Sequence, residues 1–121
     1  MKKILVIEDN NSIRENIIEL LELNDFNVHA TGNGNEAFGL MQAHDFDLVL
    51  CDIHMPQVSG YEVLEQTKSN AKLKSVPFIF ISASVQYKEK EQALKMGIEG
   101  FLEKPFNEKT LMDTVNKVIG K

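Results

Sequence analysis

Five side chains in this sequence carry oxygen or nitrogen chemistry just after short apolar stretches. Glu8 and Asp9 follow Ile4 to Ile7, Asp52 follows Leu48 to Cys51, Ser82 follows Phe78 to Ile81, and Lys104 comes soon after Gly100 to Leu102. If the stretches are neighbouring strands, three carboxylates, a hydroxyl and an amine converge. Carboxylates that meet at about 4 Å repel by roughly 4 kcal/mol per pair at an effective dielectric near 20, so the cluster must protonate or hold a cation. Oxygen ligands without a thiolate select Mg²⁺ or a similar hard ion, which keeps several waters while it bridges carboxylates to a phosphate. The pattern predicts a phosphoryl site. Asp52 would be the nucleophile, forming an acyl phosphate, while the metal and Lys104 neutralise charge on the transferred oxygens.

The elements that must position these groups follow from hydrophobic period. The three stretches starting at Ile4, Leu48 and Phe78 are apolar without alternation, as parallel strands covered on both faces should be. Asn27 to Ala30 and Gly100 to Leu102 are weaker and suit sheet edges. Helical stretches separate the five strands. The first is expected to open at Ser12-Ile13-Arg14-Glu15, a capping-box pattern, with Ile13, Ile17, Leu20 and Leu21 as its stripe. The second spans about Asn35 to Ala43 and the third about Gly60 to Ser69, while Gly97 ends the fourth. The last takes Asn107 as its N-cap and buries Leu111, Val115, Val118 and Ile119. In an open parallel sheet, ligands bind beyond the carboxyl ends of the strands, where the chemistry-bearing residues stand.

The totals limit the function classes. A chain of 121 residues suits one domain over 1–121. No apolar run approaches the roughly 18 residues of a membrane span, and the run after Met1-Lys2-Lys3 is too short for a signal peptide. A net charge of -5 argues against binding a nucleic-acid backbone. Cys51 is the only cysteine and lies in an apolar run, so a cytoplasmic location is expected.

Together, Glu8-Asp9-Asn10, Phe46 to Pro56 around Asp52, Gly60, Ile81-Ser82-Ala83 and Lys104-Pro105-Phe106 resemble the response-regulator receiver domains. The resemblance covers essentially the whole chain. It implies an α/β, flavodoxin-like (βα)5 fold, with a five-stranded parallel sheet of order 2-1-3-4-5 and helices on both faces. It implies that Asp52 accepts the phosphoryl group. Asp9, Asp52 and the His54 backbone carbonyl would bind Mg²⁺, with Glu8 acting mostly through metal-bound water. Lys104 would pair with the phosphate, Ser82 would swing towards it, and Phe101 would move inward behind Ser82. The Lys104-Pro105 peptide is commonly cis in that family. His54 and Ser84 stand where water access to the acyl phosphate is adjusted. The implied partners are a histidine kinase or histidine phosphotransfer protein, and a downstream protein met through the fourth helix, fifth strand and fifth helix. The implied state is a monomer or a phosphorylation-dependent dimer, and the protein is a signalling phosphoacceptor rather than an enzyme.

Each residue also has a blander reading. Asp52 could be a turn aspartate, Lys104 a surface lysine, Ser82 a strand-end hydroxyl and Phe101 core; Lys88 to Glu91 reads as a solvated face. A flavin carrier of similar fold would need a glycine-rich phosphate loop where Glu8-Asp9-Asn10-Asn11 stands. A haloacid dehalogenase-type phosphatase would need a second aspartate where His54 stands. The remaining alternative is a receiver-fold interaction module that is not phosphorylated. A stand-alone regulator, a relay intermediate and a piece of a larger regulator or hybrid kinase all stay open. The fifth strand lacks the paired acidic residues associated with winged-helix DNA-binding regulators, which lowers that parentage.

Overall fold

Unbroken apolar strands demand cover on both faces, and the fold supplies it. The computed structural model describes residues 1–83 and 87–120. Five strands alternate with five helices: β1 Lys3–Ile7, α1 Asn11–Leu23, β2 Asn27–Thr31, α2 Gly34–Ala43, β3 Leu48–Asp52, α3 Gly60–Lys68, β4 Phe78–Ser82, α4 Tyr87–Lys95, β5 Gly100–Glu103 and α5 Glu108–Ile119. All neighbouring strands are parallel, in the order β2-β1-β3-β4-β5. The weak strands β2 and β5 are the edges, as their composition requires.

Strand period divides the apolar side chains between two cores. Leu5, Ile7, Val49, Cys51, Phe78 and Phe80 face α2, α3 and α4, where Ala37, Met41, Val63, Leu64 and Ala93 meet them. Ile4, Val6, Leu48, Leu50, Ile79 and Ile81 face α1 and α5, against Ile17, Leu21, Leu111 and Val115. Each buried aliphatic side chain of this kind contributes about 1.5–3 kcal/mol relative to exposure. The chemistry at the strand ends therefore rests on a rigid frame.

The helix starts correct one detail of the sequence reading. The N-cap of α1 is Asn10, whose side chain accepts from the Ile13 N–H at 3.0 Å, and Ser12 lies inside the first turn. Asn10 leaves β1 in an extended conformation and caps as well as serine does, so the helix begins earlier than the Ser12–Glu15 pattern suggests. The capping box lies instead at α3, between Ser59 and Glu62. Asn107 caps α5, accepting from the Thr110 N–H at 2.9 Å. Gly97, just past α4, takes φ +99, a left-handed conformation that favours glycine.

Candidate functional site

Register decides which side chains meet. Ile7 pairs with Cys51, Asp52 with Ile81, and Ser82 with Glu103. One more step along β1 brings Glu8 beside Asp52, and one more past β5 brings Lys104 beyond Ser82. The Lys104 N–H donates to the Ser82 carbonyl at 2.8 Å, which anchors the lysine to β4. The Lys104-Pro105 peptide is cis.

Glu8 is wholly buried, and its Oε1 has an ion-pair partner but makes no hydrogen bond among the described residues. Its N–H donates to the Thr31 carbonyl at 3.0 Å, and its own carbonyl accepts from Arg14 Nη1 at 2.7 Å. Oε2 accepts from the Asn10 N–H at 3.1 Å, and Oε1 faces Lys104 Nζ at 2.8 Å. Lys104 Nζ stands 3.6 Å from Asp52 Oδ1. One carboxylate oxygen each from Glu8, Asp9 and Asp52 lies within 4.8 Å of the others, with Asp9 on the solvent side.

Burial first, then the Glu8 carboxylate, push the Asp52 carboxyl from its ordinary range up to about 7. Lys104 opposes them without prevailing, and hydrogen bonding with Asp9 and Glu8 adds to the rise. Three carboxylates thus meet one ammonium, and the proton that Asp52 keeps below about pH 7 stands where a second cation would serve. The oxygen-only donor set fits a hard divalent ion. Cys51 offers no competing thiolate, because burial pushes its thiol well up and its Sγ donates to the Asp52 carbonyl at 3.3 Å.

The remaining expected residues are distributed around this cluster. Ser82 is buried at the end of β4. Phe101 pairs with Phe80 across β4 and β5 and packs, partly buried, against the α2–α3–α4 core. His54 lies in the loop after β3, with its Nε2 3.4 Å from Glu89 Oε1 on α4. Ser84 lies outside the described residues.

Gly60 closes that loop. Its N–H donates to the Ile53 carbonyl at 2.8 Å, and a Cβ there would collide with the Asp52 carbonyl oxygen and approach the Ile53 Cα within 2.8 Å. Glu89 escaped the sequence reading, because a run of alternating charges gives no sign of which one turns inward. Arg14 and Asn10, which clamp Glu8, carry no signal beyond their proximity to the acidic pair.

A family model described as the response regulator receiver domain matches residues 4–116. The chain belongs to that family. The receiver domain is 36% identical over 119 residues to the probable transcriptional regulator ycf29 of Pyropia yezoensis, covering 98% of this chain and 54% of that protein. It is 32% identical over 117 residues to the cell cycle response regulator CtrA of Brucella ovis, covering 97% of this chain and 50% of that protein. The chain spans about half the length of these relatives. Among solved structures, the receiver superposes on Vibrio cholerae chemotaxis protein CheY4 with a TM-score of 0.93 at 29% identity, covering 98% of each chain. It superposes on the non-phosphorylated HemR receiver domain of Leptospira biflexa at 0.91 and 28% identity, covering 100% of this chain and 96% of that one. The flavodoxin-like fold and the strand order expected from the sequence are those observed. Among the described residues, no helix is long and apolar enough to cross a membrane.

Beside the carboxylate cluster the receiver opens a mainly apolar cleft of about 560 Å³. It is lined by Ser12, Ile13 and Asn16 of α1, Ala83, and Lys104, Pro105 and Phe106.

Proposed function

We propose that residues 1–121 act as one phospho-accepting receiver of a two-component or phosphorelay system, with Asp52 taking the phosphoryl group. The observation that carries this is the position of Asp52 between the Glu8–Asp9 pair and Lys104, with its carboxyl raised to about 7 by burial and then by the Glu8 carboxylate. Asp9, Asp52 and the His54 backbone carbonyl would hold Mg²⁺, with Glu8 reaching it mostly through water. Bound there, the ion would supply charge that keeps Asp52 ionised and offsets charge on the phosphoryl oxygens.

Asp52 Oδ attacks phosphorus as the N–P bond of a phosphohistidine breaks, and the imidazole leaves with a proton from solvent. Lys104 moves its charge from Glu8 towards the new phosphoryl oxygens. Ser82 donates to one of those oxygens, and Phe101 follows inward. Shifting such a two-state arrangement from 1:99 to 99:1 takes about 5.5 kcal/mol of differential binding, which several charge-assisted hydrogen bonds together supply. The cleft beside Lys104 would receive the donor, a histidine kinase or phosphotransfer protein, and the α4–β5–α5 face would meet the downstream protein. The protein would act as a phosphoacceptor in the cytoplasm, promoting only its own phosphorylation and dephosphorylation.

Intact-protein mass after incubation with Mg²⁺ and a small acyl phosphate tests the reading. One added phosphoryl mass, absent in Asp52→Asn and absent without Mg²⁺, supports it. A folded protein that gains no mass and shows no NMR response to beryllium fluoride would be an unphosphorylated interaction module instead.

A further inference from the structure

Four charged residues open α4, and only one of them turns inward. Lys88, Lys90 and Glu91 are exposed, whereas Glu89 is partly buried. Its Oε1 is shut off from solvent and makes no hydrogen bond among the described residues. An enclosed carboxylate oxygen in that state is costly, so whatever faces it matters.

Two groups face it. His54 Nε2 stands 3.4 Å away across the gap between α4 and the loop after β3. The phenol of Tyr61, in the first turn of α3 and edge-on to Phe80 at 5.4 Å, is pushed up by its burial and then by the Glu89 carboxylate. His54 is the member of this cluster nearest the phosphoacceptor in sequence. Its main chain is not free to adjust, because the Ile53 N–H donates to the Ile81 carbonyl at 3.1 Å and Gly60 is packed onto the Asp52 and Ile53 backbone. The side chain is 62% exposed, and Glu89 is the one carboxylate within 4.0 Å of its ring nitrogens among the described residues.

We propose that Glu89 is a positioning residue for the phosphoryl site: it holds the His54 ring against α4, away from the mouth above Asp52, and so sets how readily water reaches the acyl phosphate. This rests on Asp52 being the phosphoacceptor. In hydrolysis the water oxygen bonds to phosphorus as the bond from phosphorus to Asp52 Oδ breaks. The aspartate carboxylate is regenerated, and inorganic phosphate departs with the hydroxyl while the second water proton goes to solvent. Glu89 touches none of the reacting atoms. With Glu89 gone, the ring is released over the mouth and water is hindered. The same contact ties the position of α4 to the loop that follows Asp52.

Dephosphorylation of the Mg²⁺-loaded full chain, started with a small acyl phosphate and followed by intact mass, is measured in wild type, Glu89→Ala, Glu89→Gln, His54→Ala and the His54→Ala/Glu89→Ala double variant. Glu89→Ala is expected to lengthen the phosphoryl lifetime by roughly two- to fivefold, the range a partly exposed charge contact spans. Glu89→Gln, which keeps an acceptor in place, should stay close to wild type, and Glu89→Ala should have no effect once His54 is alanine. The His54 imidazole NMR signals of the unphosphorylated protein provide a readout that does not depend on phosphoryl chemistry, and they should shift in Glu89→Ala and much less in Glu89→Gln. An effect of Glu89→Ala that persists without His54, or imidazole signals indifferent to Glu89, overturns the proposal while leaving Asp52 as phosphoacceptor. Imidazole signals that shift in Glu89→Ala, together with a wild type that accepts no phosphoryl group, would overturn the phosphoacceptor reading, and the control of lifetime with it.

Discussion

Lys104 stands closer to Glu8 than to Asp52: its ammonium is 2.8 Å from Glu8 Oε1 and 3.6 Å from Asp52 Oδ1. The lysine thus rests on the buried carboxylate that holds it, with the phosphoacceptor candidate next in reach. Its stabilising work falls first on Glu8, which is wholly buried. Lys104→Ala leaves two buried carboxylates without their ammonium, and breaking a buried pair costs about 3–5 kcal/mol when burial is complete. Partial exposure of the lysine reduces that figure here, and a loss of about 2 kcal/mol in urea unfolding at neutral pH is expected. An unchanged unfolding midpoint would show that the lysine does not support the carboxylates.

Metal-free stability should fall as pH rises, because Asp52 in the folded chain titrates at about 7. An unfolded aspartate titrates near 3.9, so between those values the native state holds more protons than the unfolded one. The contribution of Asp52 is full below about pH 4 and is lost as pH climbs through about 7. Mg²⁺ competes with that proton. Its stabilisation, read as the rise in thermal midpoint, should therefore be larger at about pH 8 than at about pH 5.5. Equal increments at both values would remove the case for Asp52 as a ligand.

Asp52→Asn removes a buried charge that repels Glu8 and keeps the shape of the side chain. The metal-free variant should be more stable than wild type at about pH 8, by on the order of 1 kcal/mol, and should lose most of its thermal response to Mg²⁺. Calorimetry with and without the ion checks both halves.

Gly60→Ala places a methyl group against the Asp52 carbonyl oxygen and the Ile53 Cα, both main chain and both held by neighbouring strands. Overpacking of this kind costs about 1–3 kcal/mol, and the strain falls on the loop carrying His54. Weaker Mg²⁺ binding should accompany the lost stability. Gly39→Ala, at a helical position with open space around it, should stabilise slightly and serves as the control.

His29 and His44 lie with ring centroids 4.5 Å apart at the β2 edge, far along the chain from the phosphoryl site. Desolvation first, then His44 and Lys3, lower the pKa of His29. A histidine depressed in the folded state binds fewer protons there than when unfolded, so its effect is to destabilise as pH drops through its unfolded value of about 6.5. His29→Gln should flatten the stability profile between about pH 7 and pH 5, as followed by thermal unfolding.

Much of this architecture was legible because its signals are local. Parallel strands buried on both faces cannot alternate, so β1, β3 and β4 announce themselves, and the acidic pair, Asp52 and Lys104 stand where those strands and β5 stop. The start of α1 was misread because Asn10 and Ser12 are both good caps, and only the path of the chain leaving β1 chooses between them. The inward turn of Glu89 could not be read at all, since it depends on how α4 packs beside a loop more than thirty residues earlier in sequence.

The strand order also governs when the site can exist during folding. Glu8 and Asp9 follow β1, Asp52 ends β3, which pairs beside β1 only after α1, β2 and α2 have been made, and Lys104 arrives after β5 at the far edge. During synthesis, the acidic pair emerges before Asp52, and the lysine that faces them both arrives only after the last strand. Affinity for a cation, which would draw on Glu8, Asp9 and Asp52, should therefore wait for β3 to pair beside β1, so that a chain stalled on the ribosome before β3 would hold acidic residues and no pocket.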